Sequence, residues 1–215
     1  MILRLRYQTI EFENTDIHLC TLRDKQQFSD TKGIARNLGI SSALWPLFGI
    51  VWPSSLVLAH YISDYQTEGK RILEIGCGMA LSSLLLNEKN ADITATDYHP
   101  EVEFFLQRNT HLNNGKAISF ERAGWADETD LLGHFDLIIG SDLLYEDQHI
   151  ALLASFIESH ANPSCEVILV DPGRGRKNKF SSKMNNYGFT DSHIKPINTA
   201  YLKESFNGHI LKYFR

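Results

Sequence analysis

Leu73-Glu74-Ile75-Gly76-Cys77-Gly78 is the stretch that decides the fold, because it joins an apolar strand to a helix through a turn with two glycines. Glycine lets the backbone adopt left-handed conformations and come close to a ligand. In a doubly wound α/β sheet, a turn of this kind lies where nucleotides bind. We therefore expect a nucleotide-containing ligand at this turn.

A dinucleotide fits this turn poorly. A turn that binds pyrophosphate has a third glycine in the pattern GxGxxG, but position 81 is leucine. Glu74 adds a carboxylate, which is unfavourable beside a phosphate and favourable beside a cationic ligand. A nicotinamide-dependent oxidoreductase is therefore disfavoured.

Asp97 ends the next predicted strand, about 20 residues after the glycine turn, where a carboxylate can accept hydrogen bonds from both hydroxyls of a ribose. The alternative is that Asp97 only caps the helix that Pro100 begins. Taken together with Glu74 and the two glycines, Asp97 favours a site for an adenosine group.

Apolar runs typical of strands alternate with helical stretches along most of the chain. The predicted strands are 71–75, 93–96, 117–120, 137–140, 166–170, 189–194 and 209–214. Helices are predicted to begin at Pro53, Ala80, Glu101, Gln148 and Lys179. Alternation of this kind predicts the α/β class, with a doubly wound, mostly parallel seven-stranded sheet. The last two strands follow each other without a helix, which predicts an antiparallel pair at the C-terminal edge.

The N-terminal segment has a different pattern. Leu3, Leu5 and Tyr7 alternate with polar residues, the pattern breaks at Asn14, and alternation resumes from Ile17. This predicts an N-terminal β-hairpin. A mixed stretch from residue 24 to residue 47 follows, which we interpret as a covering arm with a short amphipathic fragment at 34–38.

Charge and composition exclude several classes of protein. The net charge is −5, and no continuous basic face is evident, so a nucleic-acid partner is not predicted. The one basic stretch, Arg174 to Lys179, contains glycine and is interpreted as a solvated loop. No apolar run approaches the roughly 18 residues that a membrane span needs, and the N-terminus lacks the pattern of a signal peptide.

The three cysteines and nine histidines do not form a recognisable metal or disulfide pattern. Cys20, Cys77 and Cys165 are far apart in sequence, with no CxxC pair, and no two histidines have metal-ligand spacing. We therefore expect no metal, no disulfide framework and a reducing, cytoplasmic location.

Five short motifs carry a resemblance to a known family. In chain order they are Gly49-Ile50-Val51-Trp52-Pro53-Ser54, Leu73–Gly78, Ala95-Thr96-Asp97, Gly124-Trp125 and Gly140-Ser141-Asp142-Leu143-Leu144-Tyr145. Their order and spacing resemble the seven-β-strand lysine methyltransferase-like family, methyltransferase family 16, in a bacterial-type member. The resemblance implies a class I methyltransferase with S-adenosyl-L-methionine as its cofactor.

The resemblance also assigns roles to residues. It agrees with a cofactor site built from Glu74, Gly76, Cys77, Gly78 and Asp97. It further implies that Trp52 lies near the cofactor, that Trp125 lies by the adenine and that Ser141 makes a backbone contact. Asp142 and Tyr145 would face the methyl-accepting group as the candidate catalytic residues. Trp52 and Trp125 can alternatively be ordinary core aromatics.

The acceptor is predicted to be a protein lysine amine, with a protein substrate as partner. The stretch 167–174 also resembles relatives that methylate an electron-transfer flavoprotein subunit and bacterial nicotinamide methyltransferase-like proteins. A small amine or heterocycle is therefore the alternative acceptor. Asp142-Leu-Leu-Tyr145 departs from the Asn-Pro-Pro-Tyr pattern of amide and adenine N-methyltransferases, which puts those substrates in doubt.

A catalytically silent cofactor-binding module is a further alternative, because a fold alone does not guarantee activity. The presence of both Asp142 and Tyr145 argues against it. A chain of 215 residues is long enough for one globular unit. We expect residues 1–48 to form the hairpin and arm, and residues 49–215 a Rossmann-like methyltransferase domain. The sequence does not determine the oligomeric state.

Overall fold

A two-stranded hairpin precedes the main sheet in the computed structural model, which describes residues 4–25, 30, 32–127 and 132–215. Strand β1 (Leu5–Phe12) pairs antiparallel with β2 (Thr15–Leu22), which confirms the predicted hairpin. Leu3 lies outside the described residues. On β2, Ile17 and Leu19 are fully buried in the same core as the central strands. The hairpin is therefore part of the hydrophobic core, and the division of the chain at residue 48 stays a prediction.

The arm contributes two short helices before the first long one. Helix α1 (Ile34–Asn37) coincides with the amphipathic fragment, and a 3₁₀ helix follows at Trp45–Gly49. Helix α2 (Pro53–Ser63) begins at the predicted proline, whose fixed φ suits the first helical position. Trp45 and Phe48 of the 3₁₀ helix are buried.

The main sheet has seven strands. They are β3 (Arg71–Ile75), β4 (Asp92–Asp97), β5 (Ser119–Arg122), β6 (Phe135–Ser141), β7 (Ala161–Asp171), β8 (Thr190–Ile194) and β9 (His209–Phe214). Their order in space is β5-β4-β3-β6-β7-β9-β8. Neighbours among the first five are parallel, whereas β9 is antiparallel to both β7 and β8. The predicted mostly parallel sheet with an antiparallel C-terminal pair is confirmed.

Four more helices connect the strands: α3 (Leu81–Glu88), α4 (Val102–Leu112), α5 (Asp147–His160) and α6 (Lys177–Asn186). Neighbouring residues on one strand pack on opposite faces of the sheet. Ile138 belongs to the cluster that includes α5 and α6 residues, and Ile139 to the cluster that includes α2 and α3 residues. Burial on both faces explains why the central strands are mostly apolar on both faces.

The strand boundaries differ from the predicted ones mainly in β5 and β7, the two outer strands of the parallel part of the sheet. Strand β5 lies two residues later than predicted, because its register pairs Ser119 with Thr94 of β4. Strand β7 begins at Ala161 rather than Glu166, because an irregular pairing with Phe135 extends it. The helices begin within two residues of the predicted positions.

One stretch within the described ranges, Trp45–Ser63, is long and apolar enough to cross a membrane by length and composition alone. This differs from the expectation that no run approaches that length. The stretch is interrupted, because Ile50 and Trp52 have extended backbone between the 3₁₀ helix and α2. Leu58 and Ile62 of α2 are fully buried against the sheet, as in a core helix.

Candidate functional site

The glycine turn after β3 is tightly enclosed. Gly76 and Gly78 have φ angles of 58° and 52°, which glycine adopts without strain. A Cβ at Gly76 would lie 2.6 Å from Cδ2 of Leu143, and one at Gly78 would lie 3.1 Å from the carbonyl oxygen of Phe48. Cys77 is buried, and its N–H donates to the carbonyl oxygen of Thr96 at 2.9 Å. The turn thus packs between the arm and the segment that follows β6.

Asp97, at the end of β4, holds the turn directly. Its Oδ2 accepts a hydrogen bond from the Gly78 N–H at 2.9 Å, and its Oδ1 accepts one from the His99 N–H at 2.8 Å. The capping alternative is wrong, because α4 begins at Val102 with Glu101 at its N-cap. Burial raises the pKa of the Asp97 carboxyl above its ordinary value. Each carboxylate oxygen has two acceptor positions, so both keep capacity for a ligand hydroxyl.

Glu74 lies behind the turn. It is 3% exposed, and its Oε2 accepts hydrogen bonds from the N–H of Ser83, at 2.9 Å, and from the Ser83 hydroxyl. Burial raises the pKa of Glu74 to about 7, despite the bonds from Ser83. Glu74 therefore fixes the first turn of α3 from the end of β3. Its predicted contact with the cofactor stays a prediction.

The two candidate tryptophans are half-buried, and their predicted places beside the cofactor stay predictions. Trp52 donates from Nε1 to the carbonyl oxygen of Leu47 at 2.9 Å, and the Lys25 ammonium lies 4.7 Å from its ring centroid. Trp125, after β5, meets the ring of His149 edge-on at 5.4 Å. The tryptophan that is fully part of the core is Trp45, at 3% exposure.

The predicted acceptor side follows β6. Ser141 pairs with Val170 at the end of the sheet, and the Asp142 N–H donates to the carbonyl oxygen of Val170 at 2.9 Å. Asp142 has a φ of 56°, which is unusual for a residue other than glycine. Tyr145 is 40% exposed, and burial of part of its side chain raises its pKa. Ser141 and Asp142 therefore lie beside the glycine turn, which Leu143 contacts, and the ring of Tyr145 meets that of His149.

Sequence reasoning missed His149, which lies between the predicted adenine side and the predicted acceptor side. Its ring meets Trp125 at 5.4 Å and Tyr145 at 5.2 Å, edge-on in both cases. The spacing of four residues between Tyr145 and His149 was the available signal.

His99 is the second residue that the sequence did not reveal. It is 6% exposed, stacks on Phe48 at 4.1 Å and meets Trp45 edge-on at 5.2 Å. Burial lowers the pKa of His99 to about 4, so its ring is neutral at pH 7. The stack of Phe48 on His99 thus joins the arm to His99, whose backbone N–H donates to Asp97.

The basic stretch begins as the exposed loop that we expected, at residues 173–175, but its charged side chains are paired with acids. Arg174 binds both carboxylate oxygens of Asp142, with distances of 2.7 Å from Nε to Oδ1 and 3.0 Å from Nη2 to Oδ2. Arg176 and Lys179 both bind Asp147, at 2.7 Å and 3.2 Å. The loop is confined to residues 172–176, because α6 already begins at Lys177. Its charges are matched by acids that follow β6.

The glycine turn, Asp97, Asp142 and Asp171 lie at the carboxyl ends of the neighbouring strands β3, β4, β6 and β7. This edge is where doubly wound sheets bind their ligands. The strand order, with one antiparallel strand inserted beside β7, and the acid beside the glycine turn define a class I methyltransferase fold. The chain belongs to the lysine methyltransferase family, whose model (methyltransferase family 16) matches residues 46–186.

Known proteins agree with this assignment. Protein N-lysine methyltransferase METTL21A of Danio rerio is 30% identical over 137 residues, which is 59% of this chain and 62% of that protein. The match thus spans less than two thirds of the relative. A methyltransferase from Pyrococcus furiosus superposes with a TM-score of 0.60 at 23% identity, over 87% of this chain and 98% of that one. Magnesium protoporphyrin IX methyltransferase from Synechocystis PCC 6803, solved with bound SAM, gives a TM-score of 0.58 at 20% identity, over 74% and 76%.

The residues at the edge fit S-adenosylmethionine, the cofactor of this class. Both oxygens of Asp97 keep acceptor capacity for ribose hydroxyls. Gly76 and Gly78 lack side chains that would clash with Leu143 and with the Phe48 carbonyl, so the turn can fit between these residues at the edge of the sheet. The Asp97 carboxylate bonds the turn directly, and a carboxylate there suits a sulfonium cation better than a phosphate.

Proposed function

We propose that this protein transfers a methyl group from S-adenosylmethionine to the ε-amine of a lysine in a protein substrate. The observation that carries the proposal is the position of Asp142. Its carboxylate follows β6 directly, and the adjacent Leu143 packs on Gly76 of the turn. A cationic amine that approaches the turn therefore finds its carboxylate partner at the edge of the cofactor site.

The cofactor would be held by groups from four strands. Asp97 would accept hydrogen bonds from the ribose, and the backbone of Gly76, Cys77 and Gly78 would meet the amino-acid portion. Glu74 would shape the turn from behind. Trp52, Trp125 and Ser141 would close the site at its rim. When bound, S-adenosylmethionine supplies an electrophilic methyl group.

Asp142 would position the acceptor more than it would activate it. Methyl transfer needs a neutral amine with a free lone pair, whereas lysine has an unperturbed pKa of about 10.4 and a nearby carboxylate favours its charged form. The ammonium that Asp142 holds would therefore release a proton to solvent before the transfer. The raised pKa of Tyr145 keeps its phenol neutral, so Tyr145 would line the acceptor site rather than act as a base. Alignment and exclusion of water are the contributions that these residues can make.

Two findings support lysine over other acceptors. The family that the chain belongs to is that of lysine methyltransferases. The Danio rerio relative is named as a protein N-lysine methyltransferase. A small amine or heterocycle is the alternative acceptor.

The test is to incubate the purified protein with methyl-labelled S-adenosylmethionine and a cell lysate, and to separate proteins from small molecules. We expect label in a discrete protein band, recovered as methyllysine after hydrolysis. Asp142→Asn should abolish this label, while the matched control Asp147→Asn, at an exposed carboxylate farther along the same segment, should retain it.

Other outcomes would contradict the proposal. Label found only among small molecules would favour the alternative acceptor. Cofactor binding without any transfer would favour a catalytically silent module. Full activity of Asp142→Asn would refute the role of that carboxylate.

A further inference from the structure

The carboxylate that the acceptor would need is already occupied by Arg174. Both oxygens of Asp142 accept hydrogen bonds from its guanidinium, at 2.7 Å and 3.0 Å. The Asp142 side chain is 16% exposed, and that of Arg174 is 44% exposed. The guanidinium is therefore the more solvent-accessible partner, and a second cation can use both oxygens only if Arg174 withdraws.

The loop around Arg174 is fixed at both ends and open at its tip. On one side, the Gly173 N–H donates to Oδ2 of the buried Asp171 at 3.0 Å. On the other side, Arg176 binds Asp147 at 2.7 Å. Arg174 stands between Gly173 and Gly175, and no atom of the described part of the chain lies within 4 Å of the Cβ position of Gly175. The Arg174 side chain can therefore leave Asp142 while the loop stays attached.

We propose that Arg174 is a specificity-determining residue for the lysine acceptor of the proposed function, because the acceptor ammonium replaces the Arg174 guanidinium on Asp142. Without an acceptor, Arg174 compensates the charge of Asp142. A cationic side chain restores that compensation when it displaces Arg174. An uncharged side chain offers no such compensation, so it leaves Arg174 paired with Asp142 and gains nothing from that carboxylate.

The exchange predicts that Arg174 competes with the acceptor. A guanidinium that makes two parallel hydrogen bonds to a carboxylate is a strong partner. Because this pair is partly exposed, its removal should strengthen binding of a competing cation by roughly three- to tenfold rather than by orders of magnitude.

The test measures binding, by calorimetry, of Nα-acetyl-L-lysine amide and of the uncharged Nα-acetyl-L-norleucine amide to protein saturated with S-adenosylhomocysteine. Arg174→Gln should bind the lysine amide roughly three- to tenfold more tightly than the wild type, with unchanged binding of the norleucine amide. The matched control Lys179→Gln loses an ion pair between α6 and Asp147 that involves neither Asp142 nor the 172–176 loop, and it should behave as the wild type. Equal melting temperatures of the variants would verify that they fold.

Two further variants sharpen the result. Arg174→Lys keeps the charge but loses the two-bonded geometry, so it should give an intermediate affinity for the lysine amide. Asp142→Asn should abolish the preference for lysine over norleucine. In the double variant, Arg174→Gln should cause no further change in the affinity for either amide.

Unchanged or weaker binding of the lysine amide by Arg174→Gln would overturn the exchange. An equal gain for the norleucine amide would overturn it too, because it would show only that the site had become more open. The measurement needs no methyl transfer. A lysate without labelled protein would thus contradict the proposed function and not the exchange.

Discussion

Asp97 combines two tasks in a single side chain. Its carboxylate holds the N–H of Gly78 and is also the group that we expect to meet the ribose. Asp97→Ala should therefore weaken S-adenosylmethionine binding at least about tenfold, because each hydrogen bond to a charged group contributes about 1.5–3 kcal/mol. Isothermal titration would measure the loss. Asp92→Ala, at the exposed start of the same strand, should bind normally. Unchanged affinity in Asp97→Ala would remove Asp97 from the site.

At Gly76 both the available space and the backbone conformation are restrictive. Gly76→Ala would place a left-handed alanine, which costs about 1–2 kcal/mol, against Leu143. Gly39→Ala is the matched control, since Gly39 has a φ of 77° but nothing within 4 Å of its Cβ position. We expect Gly76→Ala to lower the free energy of unfolding more than Gly39→Ala, and to weaken cofactor binding as well. Equal losses in urea denaturation would contradict the predicted clash.

At the scale of elements, asparagine side chains at the C-terminal end of α4 make the backbone hydrogen bonds to β2 that a neighbouring strand would otherwise make. Asn109 accepts from the N–H of Cys20 at 2.7 Å and donates to its carbonyl oxygen at 3.3 Å. Asn113 does the same for His18, at 2.7 Å in both bonds. Four residues of helix rise about 6 Å, and two residues of strand about 6.8 Å, so the two repeats match. Two asparagines one helical turn apart thus satisfy one edge of β2.

Removal of the buried asparagine should loosen the hairpin. Asn109 is fully buried, so Asn109→Ala leaves the N–H and the carbonyl of Cys20 without these partners, at a cost of about 1–3 kcal/mol. Asn113→Ala should cost less, because its bonds to His18 are exposed to water. Urea denaturation of both variants tests this order, and an equal or larger loss in Asn113→Ala would refute it.

Much of the architecture could be predicted from sequence because local patterns report it. The strands β3 and β9 and the start of α2 match their predicted residues, since apolar runs and a proline mark them. Strand β7 could not be placed as well, because its first residues join the sheet through an irregular pairing with Phe135. The start of such a strand depends on its neighbour and not on its own pattern.

The position of several candidate residues at one edge of the sheet could also be predicted. Residues that end strands, such as Asp97 and Asp142, meet at one edge of the sheet as a consequence of topology. The pairing of Arg174 with Asp142 could not be predicted, because it joins two connections 32 residues apart whose paths have no periodicity. His99 was missed because only the folded arm buries it.

For the whole molecule, two buried groups give opposite responses to acid. The pKa of His99 falls from 6.5 to about 4, so its contribution to stability is present above pH 6.5 and is lost as the pH falls toward 4. The pKa of Glu74 rises from 4.5 to about 7, so its contribution is complete below pH 4.5 and is lost as the pH rises through 7. Between pH 4.5 and 6.5 the two slopes, each about 1.4 kcal/mol per pH unit, oppose each other.

Single substitutions should reveal each slope. Glu74→Gln keeps an oxygen that can accept from Ser83 but does not ionise, so its free energy of unfolding should fall with acidification more steeply than that of the wild type. His99→Phe, which can retain the stack on Phe48, should show the reverse. Urea denaturation at several pH values gives the difference profiles, to which groups common to all variants contribute little. Profiles parallel to the wild type would show that these two groups do not titrate as described.

The position of β9 between β7 and β8 has a consequence for how the chain is made. Among the residues that the structure describes, strand β8 pairs in the sheet only with β9, which is synthesised after it. While the ribosome is still adding residues 195–208, β8 therefore cannot join the sheet. The apolar edge of β7 also stays unpaired until His209–Phe214 has been made and has left the ribosome. The parallel part of the sheet can assemble during translation, but its final closure is a late event. Slow translation just before residue 209 would prolong the interval in which that edge is available to other chains.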